Sequence, residues 1–243
     1  MSHLPSWLAP FSDGSRFPAI IDHTLLKPET TPADIERLTE EAISFRFGAV
    51  CVNGQWVGAA ARRLGGSAVR VAAVVGFPLG ANGKGAKLAE ARAVLADGAT
   101  EIDMVMALGW VKAGRWDRVR EEIDLVVEVA DGRLVKVILE TAALTPAEIE
   151  RACREAVAAG AGMVKTSTGF HPGGGATVEA VRLMRSVVGD GAGVKASGGV
   201  RTPEQARRML QAGADRIGSS AAAAWGDALN RRLDEYLASD DPG

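Results

Sequence analysis

Cysteine is nearly absent from this 243-residue chain. Cys51 and Cys153 stand far apart and outside any Cys-x-x-Cys spacing, which argues against a disulfide framework and a zinc site and fits a reducing compartment. Histidine is equally scarce: His3, His23 and His171 have no ligand spacing, so no metal is expected, and His23 is expected to support a site through hydrogen bonds instead. No long run of one charge sign occurs, and 28 basic against 30 acidic residues leave a formal charge of −2. That balance points away from nucleic acid and from an anionic membrane, and toward a small-molecule partner. No apolar run approaches the roughly 18 residues of a membrane span. The start, MSHLPSWLAPFSDGSRF, lacks a basic segment followed by an apolar stretch. These absences predict a cytoplasmic globular protein.

What is present is a regular alternation. With 47% hydrophobic residues and 24% charged ones, the chain can bury a sizeable core. Short apolar runs at 18–22, 49–53, 69–76, 100–105, 134–140, 162–167, 193–197 and 215–219 read as strands. Between them lie amphipathic segments near 32–46, 55–64, 84–97, 116–130, 146–159, 176–187, 203–212 and 221–238. Thr31-Pro32, Thr145-Pro146 and Thr202-Pro203 each set a capping hydroxyl before an N1 proline. Gly48-Ala49, Gly98-Ala99, Gly160-Ala161 and Gly213-Ala214 precede strands, where glycine can close a helix in the left-handed conformation. Eight strand-helix units without a composition shift predict an α/β fold, a (β/α)8 TIM barrel, as a single domain over 1–243. Residues 1–17 would be an N-terminal extension and 239–243 a short tail.

Two lysines carry the chemistry. Lys165 in MVKTSTGF and Lys195 in GVKASGGVR stand near the ends of apolar strands, where a barrel places its active site. Burial and a second ammonium both favour the neutral amine, and a neutral lysine forms a Schiff base with a carbonyl substrate without a metal. Asp22, Asn53 and Asp103 also fall at or near strand ends, whereas Lys136 comes early in its strand and is expected to point toward the opposite rim.

The runs IDHTLLKPETT, CVN, VVGFPLGA, EIDMVM, VKVILET, VKTSTGF, GGAT, VKASGGVRT and GADRIG, in this order over roughly residues 18–225, closely resemble the deoxyribose-phosphate aldolase family. The resemblance implies a cofactor-free class I aldolase that interconverts 2-deoxy-D-ribose 5-phosphate with D-glyceraldehyde 3-phosphate and acetaldehyde. It implies Lys165 as Schiff-base nucleophile, Lys195 as its perturbing neighbour and proton relay, and Asp103 as the acid/base residue acting with a water. Asp22, Thr24, Asn53 and Thr166 would support the site. Phosphate would rest on backbone amides of Gly169, Gly198, Gly199 and Gly218-Ser219-Ser220. A homo-oligomer, with a dimer as the guess, follows from the family alone.

Departures and rivals accompany this reading. Many relatives carry two serines where this chain has Ser220-Ala221, which is expected to weaken or rearrange phosphate binding. Relatives often have asparagine where Ala107 stands, and some close on a tail-borne tyrosine where this chain ends SDDPG; its only tyrosine, Tyr236, lies in the last expected helix. Cys51 reads as a buried inert thiol near the site, and ANGKGAK after the third strand reads as a loop without phosphate-loop spacing. Two other readings compete: an aldolase of longer phosphorylated ketoses, separated by product analysis for acetaldehyde, and a non-catalytic phosphosugar-binding barrel, which would form no imine.

Overall fold

Strands buried on both faces suit a closed parallel sheet, because helices cover one face and the barrel lumen the other. The computed structural model, which describes residues 17–238, has this form. β1 (Ile21–Leu25), β2 (Ala49–Val52), β3 (Arg70–Val75), β4 (Glu101–Val105), β5 (Leu134–Ile138), β6 (Met163–Lys165), β7 (Gly193–Ser197) and β8 (Arg216–Ser219) pair in parallel, each with its neighbours in sequence, and β8 returns to β1. Outside run α1 (Pro32–Phe45), α2 (Val57–Leu64), α3 (Lys84–Ala96), α4 (Leu108–Lys112), α5 (Trp116–Ala130), α6 (Pro146–Ala158), α7 (Val178–Val188), α8 (Pro203–Gln211) and α9 (Leu233–Ala238). None of the described helices is long and apolar enough to cross a membrane. Residues 1–16 and 239–243, with His3 and the expected tail, lie outside the described residues.

Capping follows the sequence closely. Thr31, Thr145 and Thr202 each accept from the N3 amide, while Asp34, Glu148 and Gln205 reach back to the cap backbone. Each such cap contributes about 1 kcal/mol and fixes where a helix leaves the barrel mouth. Along the strands, alternate residues diverge. Val50, Val52, Ile102, Met104, Val164 and Ile217 join the helix-facing core. Leu26, Cys51, Ala72 and Val74, with Phe77 against them, form a separate small apolar cluster. Charged side chains at the remaining lumen positions are buried as well.

Several details differ from the expectation. β1 starts at Ile21 rather than at residue 18, because Phe17–Ile20 forms a 3₁₀ turn whose Phe17 amide donates to the Arg231 carbonyl at 3.2 Å. The helix expected over 221–238 is broken into 3₁₀ turns at Ala222–Ala224 and Gly226–Asn230 before α9, with Gly226 at φ +55°. ANGKGAK is loop only as far as Gly83; Lys84 opens α3, and Lys87 is buried, donating to the Val105 carbonyl at 2.8 Å and to Glu122 at 2.7 Å. Gly48 does not close α1 in the left-handed conformation, a task that Arg46 performs at φ 58°. Gly48 is needed for space, since a Cβ there would run into the Ala19 carbonyl.

Ala107 sits at the N-cap of α4, an unexpected short helix, and supplies no side-chain cap. Two stability changes of opposite sign are therefore expected in urea denaturation. Gly48→Ala should cost about 1–3 kcal/mol through overpacking, whereas Ala107→Asn should add about 0.5–1 kcal/mol by capping α4.

Candidate active site

Parallel register brings the charged residues of the lumen together. Asp103 on β4 stands beside Lys136 on β5, Lys165 on β6 beside Lys195 on β7, and Lys195 beside Arg216 on β8. Asp103 is the centre. Its Oδ2 accepts from Lys165 Nζ at 2.7 Å and from Lys195 Nζ at 2.7 Å, and its Oδ1 accepts from Lys136 Nζ at 2.7 Å. Lys195 also donates to Asp22, whose other oxygen accepts from Arg216. Arg216 Nη1 then donates to both oxygens of Glu101, at 2.9 and 2.8 Å, and Lys136 Nζ lies 2.5 Å from Glu101. All seven side chains are buried.

Electrostatics divides their roles. Burial would raise the Asp103 carboxyl, but Lys136, Lys165 and Lys195 outweigh it and hold it well below the usual carboxylate range. Asp22 and Glu101 are likewise held low, against burial, chiefly by Arg216. Burial pulls the Lys195 ammonium down, yet Asp103 and Asp22 more than compensate and keep it above its ordinary value. Lys195 is therefore a standing cation and Asp103 a standing carboxylate. The Cys51 thiol, 3.9 Å from Asp103 Oδ2, is pushed up by burial and by that carboxylate, so it is a neutral neighbour.

The structure sorts the remaining residues expected at the site. Thr24 hydroxyl donates to the Asp22 carbonyl at 2.9 Å, and Asn53 Nδ2 donates to the Leu26 carbonyl at 3.2 Å, so both order the loop after β1. Thr166 ties β6 to β7, its hydroxyl donating to the Ser197 carbonyl and accepting the Ser197 amide, both at 3.0 Å. Gly169, Gly199 and Ser220 are exposed, and Gly198 is half-buried. A Cβ at Gly218 would meet the Lys195 stem at 3.2 Å, so this glycine makes room for that lysine within the lumen. The Ser219 hydroxyl is engaged with the Val200 carbonyl at 2.7 Å and accepts the Ala221 amide at 3.1 Å.

Two expectations are corrected. His23 is turned away from the lysines by strand alternation: its Nε2 lies 2.6 Å from Glu41 on α1, and its ring tilts against Phe47. Lys136 does not point to the opposite rim; its long stem carries the ammonium to Asp103 itself. Glu101, Arg216 and Glu140 escaped the sequence reading. Glu101 lies two residues before Asp103, on the same strand face, a signal that period-two counting could have found. Glu140, at φ 55° just beyond β5, accepts the Thr168 amide at 3.3 Å and the Thr168 hydroxyl, pinning the loop that follows Lys165. Its left-handed backbone is a local strain of the kind that gathers at functional sites.

Comparison with known proteins accords with this geometry. Residues 19–231 match the family model described as DeoC/LacD family aldolase. The deoxyribose-phosphate aldolase of Bacillus subtilis is 55% identical over 203 residues, 83% of this chain and 91% of that protein. Deoxyribose-phosphate aldolase 2 of Bacillus licheniformis is 54% identical over 203 residues, with coverage of 83% and 91%. Among solved structures, the tetrameric deoxyribose phosphate aldolase of Aeropyrum pernix superposes with a TM-score of 0.78 at 33% identity, covering 91% of each chain.

Removing one partner from a buried ionic cage leaves the others uncompensated, at a cost of about 3–5 kcal/mol. Asp103→Asn is expected to lose about this much at pH 7. Because the folded Asp103 titrates well below the unfolded value of 3.8, its contribution is complete above that value, shrinks as pH falls below it, and is gone only below the folded one. Urea denaturation of parent and variant from pH 7 down to pH 3 should show a gap that narrows at the acid end. A gap that stays constant would contradict the assignment.

Proposed function

This chain belongs to the DeoC/LacD family of aldolases, and on that premise we propose that it cleaves 2-deoxy-D-ribose 5-phosphate reversibly to D-glyceraldehyde 3-phosphate and acetaldehyde. Its activity is that of a deoxyribose-phosphate aldolase of the Schiff-base class, a carbon–carbon lyase. The observation that carries the assignment of residues is Lys165 at the end of β6, sharing Asp103 Oδ2 with Lys195.

In this reading Lys165 Nζ attacks the C1 aldehyde of the open-chain sugar, and the carbinolamine loses water to give a protonated imine. The C3 hydroxyl then gives up a proton, the C2–C3 bond breaks, and its electron pair enters the imine to form an enamine. Glyceraldehyde 3-phosphate departs. The enamine carbon takes a proton, and hydrolysis of the resulting imine releases acetaldehyde and free Lys165. Asp103, kept ionised, is the acceptor, and Lys195, kept protonated, the donor, with a water as carrier to the substrate carbon and oxygen. Short transfers among groups 2.7 Å apart suit this division better than proton exchange of either residue with bulk solvent.

The phosphate belongs at the loops after β6, β7 and β8, the usual place in such barrels. Gly169, Gly198 and Gly199, all with positive φ, offer backbone there, and Ser220 offers its hydroxyl. Gly218 and Ser219 would contribute through the loop they shape. Asp22, Thr24, Asn53 and Thr166 hold the cage and its rim in place. A cytoplasmic homo-oligomer, a dimer, completes the proposal on family resemblance.

Intact mass after borohydride reduction with acetaldehyde should show one two-carbon adduct mapping to Lys165 and missing in Lys165→Leu. Asp103→Asn and Lys195→Leu should each lower kcat about 10²–10⁴-fold. An adduct mapping to Lys195 would reverse the two roles, and a folded, ligand-binding protein that forms none would point to a binding barrel.

A further inference from the structure

The lumen charges close into a ring of alternating sign: Glu101, Arg216, Asp22, Lys195, Asp103, Lys136 and back to Glu101. Three carboxylates face three cations, so the ring is neutral by itself. Lys165 hangs from Asp103 outside it, a cation that the ring's own charge balance does not need, as Arg70 touches Glu101 from the other side. Around Lys165 stand Asp103 from β4 and Lys195 from β7, with the neutral Cys51 thiol of β2 also bordering Asp103. Lys136 of β5 and Asp22 of β1 sit one bond further, on Asp103 and Lys195. Glu101 and Arg216 occupy the far side, and among the described residues their ion pairs run to Lys136, Asp22, Arg70 and each other rather than to Lys165.

We propose that Glu101 and Arg216 are positioning residues for imine formation: by completing a neutral ring behind Asp103 they set the charge against which Lys165 must give up a proton before attack. This inference rests on Lys165 being the nucleophile. The attacking Nζ must first transfer a proton so that its lone pair can form the bond to C1, and the carbinolamine then loses water. A ring that carried net negative charge would retain that proton, and a ring that carried net positive charge would release it sooner. In a lumen of low dielectric a unit of charge on the far side of the ring still acts on the reacting amine. Arg70, about one-quarter exposed and 3.1 Å from Glu101, touches the same ring from the outer rim.

The test is the pH dependence of cyanoborohydride-trapped acetaldehyde adduct, followed together with kcat/KM for deoxyribose 5-phosphate cleavage. Glu101→Gln removes a negative charge and should move the half-maximal pH of trapping down by roughly 1 unit. Arg216→Met removes a positive charge and should move it up by a similar amount. The double variant restores neutrality and should return the profile to that of the parent, which loss of packing alone would not do. Should Arg216→Met fail to fold, Arg70→Gln should give a smaller upward shift. Shifts of the same sign, an unmoved profile in folded variants, or a double variant that stays displaced would overturn the proposal. A parent that yields no adduct at Lys165 would instead overturn the nucleophile assignment on which it rests.

Discussion

One carboxylate, Asp103, holds three lysine ammonium groups inside a barrel from which water is largely removed. Burying an ion costs several kcal/mol, whereas a pair near 4 Å at an effective dielectric of about 20 returns about 4 kcal/mol. A single partner therefore barely offsets one ion, and multiple partners are required. Asp103 has three, Glu101 has Arg216, Lys136 and Arg70, and Asp22 has Arg216, Lys195 and, at 3.8 Å, Lys136. The cage is stable because it is shared, and the same sharing holds the Asp22, Glu101 and Asp103 carboxyls low and the Lys195 ammonium high.

The rest of the fold serves that cage. Strand alternation sends valine, isoleucine and methionine outward to the helices and leaves the lumen free for charge. The buried apolar cluster of Leu26, Cys51, Ala72 and Val74 borders the cage where Cys51 meets Asp103. Glycine at Gly218 clears space for the Lys195 stem, and Thr166 and Glu140 secure the segment that follows Lys165. A site needing amine and carboxylate groups at hydrogen-bond distance is thus built on paired strands, whose register fixes their spacing.

Period and punctuation made most of the architecture legible. Seven strand runs fall on their strands, the three Thr-Pro caps form as read, and the lysines of VKTSTGF and VKASGG meet at one carboxylate. Misreadings arose where local pattern competes with tertiary contact. PAIID looked like a strand, but the turn at Phe17–Ile20 is held by the Arg231 carbonyl from the far end of the chain. His23, inside IDHTLL, is expected to support the site through hydrogen bonds, yet a one-residue step along a strand changes the face and its Nε2 meets Glu41 instead.

By itself, the sequence determined the number and order of the strand-helix units, their caps, and the family to which the two lysines belong, since these rest on short-range periodicity and on contiguous motifs. Tertiary structure alone decided which charges share which oxygen. Arg216 and Asp22 lie 194 residues apart, and Lys136 and Asp103 33 apart, so no local spacing encodes their contact. Barrel closure and register bring them together, and the cost of burying each ion without a partner selects the alternating arrangement.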